Sequence, residues 1–147
     1  MSAVNVGTKK EFASAMVGLQ GKRVWVVFTD QSELKFVRML KRGFRHCFVL
    51  INDGQRWISI DPMANYMEVM VHDHLPGDFN FIRWLEDHGH NVAEARLTRN
   101  IMTCAPVMLF TCVEACKRIL GVHKFSILTP WQLYRYLESA PNKQEYT

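Results

Sequence analysis

The sequence predicts an α+β domain, with helices outside a central run of antiparallel strands. Three observations carry that expectation. Cap residues followed three places later by Glu or Gln mark helix starts at Thr8–Glu11, Thr111–Glu114 and Thr129–Gln132. Between the first and second of these, β-branched and aromatic runs recur with strand-like alternation. An Asp-Gly pair stands between two of those runs, which is a strong local hairpin signal. At 147 residues, with no repeat, low-complexity tract or linker, the chain reads as a single domain over 1–147.

In chain order, Phe12, Met16 and Leu19 share one face of the first helix, and Gly21 stops it. "RVWVVF" (23–28) is a buried strand by composition. Asp30 and Glu33 fit a second helix start, with Leu34, Val37 and Leu40 as its stripe and Gly43 as its end. Residues 44–61 form the hairpin ribbon, and "YMEVMVH" (66–72) alternates as a third strand. "PGD" (76–78) breaks the chain before a short helix holding Phe81, Trp84 and Leu85. "NVAEARLT" (91–98) reads as a further strand. One closing helix runs from Thr111 to the Gly121 stop, and another starts at Thr129-Pro130.

Composition excludes several classes. Eighteen Lys and Arg against fourteen Asp and Glu give a scattered net charge of +4. With no RNA-recognition signature, zinc-finger spacing or long basic run, nothing points to nucleic acid. The N-terminal segment lacks the apolar core of a secretion signal. The uncharged stretch 100–113 contains Pro106 and is too short to span a bilayer, so no transmembrane segment is expected. Four cysteines without an export signal predict free thiols in a reducing, cytoplasmic setting.

The ribbon places chemistry side by side. If Asp53 and Gly54 are the two turn residues, Asn52 faces Gln55, Leu50 faces Trp57, and His46 faces Asp61. Side chains directly opposed on a ladder share a face, about 4.5–5.5 Å apart at Cβ. A carboxylate there can fix one imidazole nitrogen and leave the other free as a base. A one-residue slip would separate the two residues onto opposite faces. On the ribbon alone, the plain alternative is a structural surface pair.

A third member stands later in the chain. With Thr111 as N-cap, Cys112 is the first residue of its helix. Unpaired N–H groups and the positive end of the helix dipole favour thiolate there. The same N–H groups could steady an oxyanion. Cys116, one turn on among Val113, Ile119 and Leu120, reads as core. Cys47 alternates away from His46, and Cys104 in "MTCAPV" has no helix start.

A histidine on a strand, a polar partner on the next strand and a later cysteine opening a helix resemble the circularly permuted papain-like fold. This is the NlpC-related group of thiol hydrolases, which includes lecithin:retinol acyltransferase-like proteins. "FTCVE" (110–114) is similar to the aromatic-x-Cys-x-Glu start of several permuted bacterial members. The resemblance runs from Phe44 to Gly121 and implies an antiparallel sheet with flanking helices. It implies Cys112 as nucleophile, His46 as base and Asp61 as the orienting residue. It also implies hydrolysis of an amide bond in a peptide or peptidoglycan, with no cofactor. The absent signal peptide departs from secreted cell-wall members; delivery in a phage particle would account for it and would add particle partners. An acyltransferase or thioesterase on the same thiol, and a non-catalytic binding or assembly module, are the other readings.

The pairs His72/His74 and His88/His90 invite a metal reading, but neither carries a known ligand spacing, and Pro76, Gly77 and Gly89 mark exposed bends. They are read as loop histidines, with no metal site. The aromatics of "WQLYRYLES" (131–139) are read as a packing face through Leu133, Tyr136 and Leu137, not as a stacking surface for bases.

Overall fold

The computed structural model describes residues 22–32, 35–97 and 105–139, and its architecture is α+β. Five antiparallel strands form one sheet: β1 (Arg23–Thr29), β2 (His46–Asn52), β3 (Trp57–Pro62), β4 (Met67–Val71) and β5 (Asn91–Ala95). Their spatial order is β4-β3-β2-β1-β5. Among the described residues three α-helices accompany them, α1 (Phe81–Asp87), α2 (Cys112–Leu120) and α3 (Pro130–Ser139). The expected first helix at 8–20 and Cys104 lie outside the described residues. Among the described residues no helix is long and apolar enough to cross a membrane.

β1 is apolar throughout because both of its faces are covered. Val24, Val26 and Phe28 join Cys47, Val49, Cys116, Leu120 and Leu133 in the core under α2 and α3. Trp25 and Val27 point the other way, into a smaller cluster with Leu50, Trp57 and Leu85 of α1. The rings of Trp25 and Trp57 lie 5.4 Å apart, so these aromatics fill a core. Each buried Val, Leu or Phe contributes roughly 1.5–3 kcal/mol through the water it leaves. β4, at the sheet edge, has five exposed residues.

Two local expectations are corrected. The stretch after Asp30 forms a short 3-10 helix, Lys35–Met39, instead of a full α-helix to Gly43. Val37 and Leu40 of its apolar stripe are only half-covered and Met39 is 95% exposed, too little burial to hold a long helix. Asp30 instead accepts the N–H of Gly43 at 2.7 Å and pairs with Arg45 Nε at 3.4 Å, closing the segment as a loop.

The hairpin turn is the second correction. Asn52 pairs with Trp57 and Leu50 with Ser59, so the loop holds residues 53–56 and the register is shifted by two from a two-residue turn. Side-chain bonds make this longer loop the better closed one. Asp53 Oδ1 accepts the N–H groups of Gln55 and Arg56 at 2.9 and 2.7 Å, and Asn52 Oδ1 accepts that of Gly54 at 2.7 Å. Gly54 alone in the loop has positive φ, at +92°, whereas a type I′ turn needs two such residues. Because the shift is by two, every side chain keeps its face.

The closing helices are capped as their sequences predict, with one difference. In α3, Gln132 Oε1 accepts the Thr129 N–H at 3.0 Å, and the Gln132 N–H reaches Thr129 Oγ1 at 3.3 Å, completing a reciprocal box. In α2, Thr111 Oγ1 accepts the Glu114 N–H at 3.2 Å. The Glu114 carboxylate turns to Lys117 Nζ at 2.9 Å and Arg118 Nε at 3.1 Å. Lys117 is buried to 1% exposure and also donates to the Ile127 carbonyl at 3.2 Å. α2 is thereby tied to the segment that leads into α3.

Candidate active site

Cys112, His46 and Asp61 come together at the ends of their elements. Cys112 is the first residue of α2, after an N-cap Thr111 in extended conformation. Gly121 ends the helix at φ +75°, in the left-handed region that glycine enters without a Cβ penalty. His46 is the first residue of β2 and pairs with Thr29 of β1. Asp61 stands near the end of β3.

His46 Nε2 lies 2.6 Å from Asp61 Oδ1, with both side chains largely covered. The expected direct opposition is corrected here. With the register shifted by two, the residues meet on the diagonal, a distance that an imidazole and a carboxylate together can span. Since Asp61 occupies Nε2, Nδ1 is the nitrogen left for the hydrogen bond that His46 makes with Cys112.

The electrostatics of the pair follow from these contacts. At Cys112 a hydrogen bond from the Cys47 thiol is the largest influence. Burial opposes it, but the hydrogen bond and charge of His46 and the Cys47 backbone N–H also act, and the thiol falls from 9.0 to about 5. At His46 burial is the largest influence and disfavours the cation. Hydrogen bonds to Asp61 and Cys112, reinforced by their negative charges, outweigh it and raise the imidazole to about 10. Near neutral pH the site therefore holds a thiolate beside an imidazolium.

A groove of about 940 Å³ opens over these residues. His46, Asp61 and Cys112 line it together with Thr29, Phe110 and Leu128. Phe110 and Leu128 are more than half exposed, which gives the groove an apolar mouth.

Alternation alone misses two participants. Cys47 does face away from His46, but its face is the one α2 covers, so the two cysteines meet. His90, read as a loop histidine, lines the groove because β5 pairs with β1 and brings Asn91 opposite Phe28. That pairing is long-range and has no local signal. The other histidines have structural contacts: His72 Nε2 is 3.0 Å from Ser59 Oγ, and His88 Nδ1 is 2.7 Å from the Trp84 carbonyl oxygen. Among the described residues no three His, Cys, Asp or Glu side chains cluster as a metal-ligand set.

Comparison of the chain with family models, with curated proteins and with solved structures finds no match.

Proposed function

We propose that the protein is a cysteine hydrolase of permuted papain-like architecture that cleaves an amide bond, in a peptide or in peptidoglycan. The observation that carries this reading is Cys112 at a helix start, hydrogen-bonded to a histidine whose other ring nitrogen is held by Asp61. Nucleophile, base and orienting group in that sequence of contacts are what thiol acyl transfer requires.

The reaction uses these side chains, the N–H groups at the start of α2 and a water molecule. The Cys112 thiolate attacks the carbonyl carbon, and the negative charge moves to the carbonyl oxygen. Thr111 takes the N–H of Glu114 on its hydroxyl and that of Ala115 on its carbonyl. The Cys112 and Val113 N–H groups precede them and are the nearest helical donors for the oxyanion. Collapse of the intermediate breaks the C–N bond, and the imidazolium of His46 passes its proton to the leaving amine. A water molecule, deprotonated by the neutral imidazole, then attacks the thioester and releases the acid, restoring thiolate and imidazolium.

The apolar mouth made by Phe110 and Leu128 favours a second reading, acyl transfer or thioester hydrolysis on the same thiol with an alkyl chain along the groove. Intact-mass analysis after incubation with peptides, peptidoglycan fragments and acyl thioesters distinguishes them by the adduct left on Cys112. Wild-type turnover in a folded Cys112→Ala variant would reject both, and neither adduct nor turnover with any of these substrates would leave the binding-module reading.

A further inference from the structure

Three cysteine thiols meet between β2 and α2. Cys116 Sγ lies 3.7 Å from Cys47 Sγ, and Cys47 hydrogen-bonds Cys112. Cys47 and Cys116 are fully buried, whereas Cys112 opens onto the groove. A hydroxyl at position 47 could donate the same hydrogen bond to the thiolate. Only a thiol can also form a bond to sulfur. A hydrogen-bonded pair of thiols has to close from its hydrogen-bonding separation to the bonded one of about 2.05 Å.

We propose that Cys47 is the resolving thiol for oxidised Cys112, closing a reversible Cys47–Cys112 disulfide after hydrogen peroxide has oxidised the Cys112 thiolate. In the first step the Cys112 thiolate attacks a peroxide oxygen and the O–O bond breaks. The departing hydroxide takes the His46 proton and leaves as water, and Cys112 becomes a sulfenic acid. In the second step the Cys47 sulfur attacks the Cys112 sulfur and the S–O bond breaks. That hydroxide leaves as water with the Cys47 proton. Two thiol sulfurs are oxidised by two electrons in all, and one peroxide is reduced to two waters.

The environment orders these steps. Cys112 meets the oxidant first because it is the thiolate on the groove. Burial, then the hydrogen bonds to Cys112 and Cys116, hold Cys47 as a thiol while Cys112 is anionic. Conversion of Cys112 to a neutral sulfenic acid removes that negative charge when Cys47 must react. Without a resolving thiol, sulfenic acid proceeds to sulfinic acid, which ordinary thiols do not reverse. The inference rests on the Cys112 thiolate that the proposed function also uses, but it requires no turnover.

The test is limiting hydrogen peroxide on the full chain, followed by alkylation and non-reducing peptide mapping. Trypsin leaves Cys104, Cys112 and Cys116 on one peptide, so additional cleavage after Phe110 and Glu114 is needed to separate them. The expected product joins the peptide that begins at His46 and carries Cys47 to the one carrying Cys112, and dithiothreitol reverses it. Cys116→Ala should still form this bridge. Cys47→Ala, checked for folding by circular dichroism, should accumulate dimedone-reactive Cys112 and several-fold more sulfinic acid. A wild-type bridge confined to Cys47–Cys116, no bridge at all, or equal sulfinic acid in wild type and folded Cys47→Ala overturns the proposal. A bridge in a protein that turns nothing over upholds it while rejecting the hydrolase, and turnover without a bridge does the reverse.

Discussion

Nε2 of His46 stands 2.6 Å from Oδ1 of Asp61, and this contact directs the other ring nitrogen toward Cys112. The carboxylate thus sets both the tautomer and the charge of the imidazole. Substitutions at the three positions should have unequal effects. Cys112→Ala and His46→Ala should each lower turnover by at least about a thousandfold, and the double variant should be scarcely worse than either. Asp61→Asn should lose less, because an amide oxygen can still orient the ring although it cannot stabilise the cation by charge. Steady-state rates measured beside thermal melts separate loss of chemistry from loss of fold.

The pH dependence of alkylation reports the ion pair directly. The depressed Cys112 thiol loses its thiolate as pH falls through about 5, and the raised imidazole of His46 loses its proton as pH rises through about 10. Iodoacetamide labelling of Cys112 should rise with a midpoint near 5 and hold level through neutrality, ahead of buried Cys47 and Cys116. In His46→Ala the midpoint should move up toward the ordinary thiol range. A wild-type midpoint already in that range would refute the pairing.

Lys117 should matter more for stability than Arg118, although both bind Glu114. Lys117 is buried, and its removal leaves a covered carboxylate short of its partner, a loss of roughly 3–5 kcal/mol. Arg118 is 45% exposed, and surface pairs contribute about 0–1 kcal/mol. Urea midpoints of Lys117→Ala and Arg118→Ala decide the order.

Thr111→Ala should destabilise the fold by about 1 kcal/mol through the lost cap on Glu114, and Thr111→Ser should restore most of it. Urea unfolding of the two variants checks this.

Gly77→Ala should be more costly than Gly54→Ala. A Cβ at position 77 would sit 2.6 Å from the Gln55 backbone carbon, while at Gly54 nothing lies within 4 Å and only the positive φ resists. Overpacking of this kind costs roughly 1–3 kcal/mol. Equal midpoints in a urea titration would contradict the steric argument.

Where local chemistry determines structure, the sequence was readable. The Thr111 cap, the Gly121 stop, the Thr129–Gln132 box and the strand of β1 each follow from neighbouring residues. The 3-10 segment was not readable, because a stripe of Val37 and Leu40 says nothing about whether a surface exists to bury it. Nor was the burial of Lys117, which depends on Ile127 ten residues away. For the site, alternation brought His46 to Asp61, and capping identified Cys112. The contacts of Cys47 and the place of His90 depend on which face α2 covers and on the β1–β5 pairing, both long-range.

The four-residue loop at 53–56 has a further consequence for how this hairpin can change in length. A change of length inside the loop is absorbed there, because Asn52 can stay paired with Trp57 across loops of two to five residues. A single-residue change within β2 or β3, between the loop and His46 or Asp61, would reverse parity and turn one of the two side chains to the far side of the sheet. The partnership therefore tolerates variation at the tip of the hairpin and forbids single-residue steps in its arms, which sets where an ancestral or engineered chain could change length.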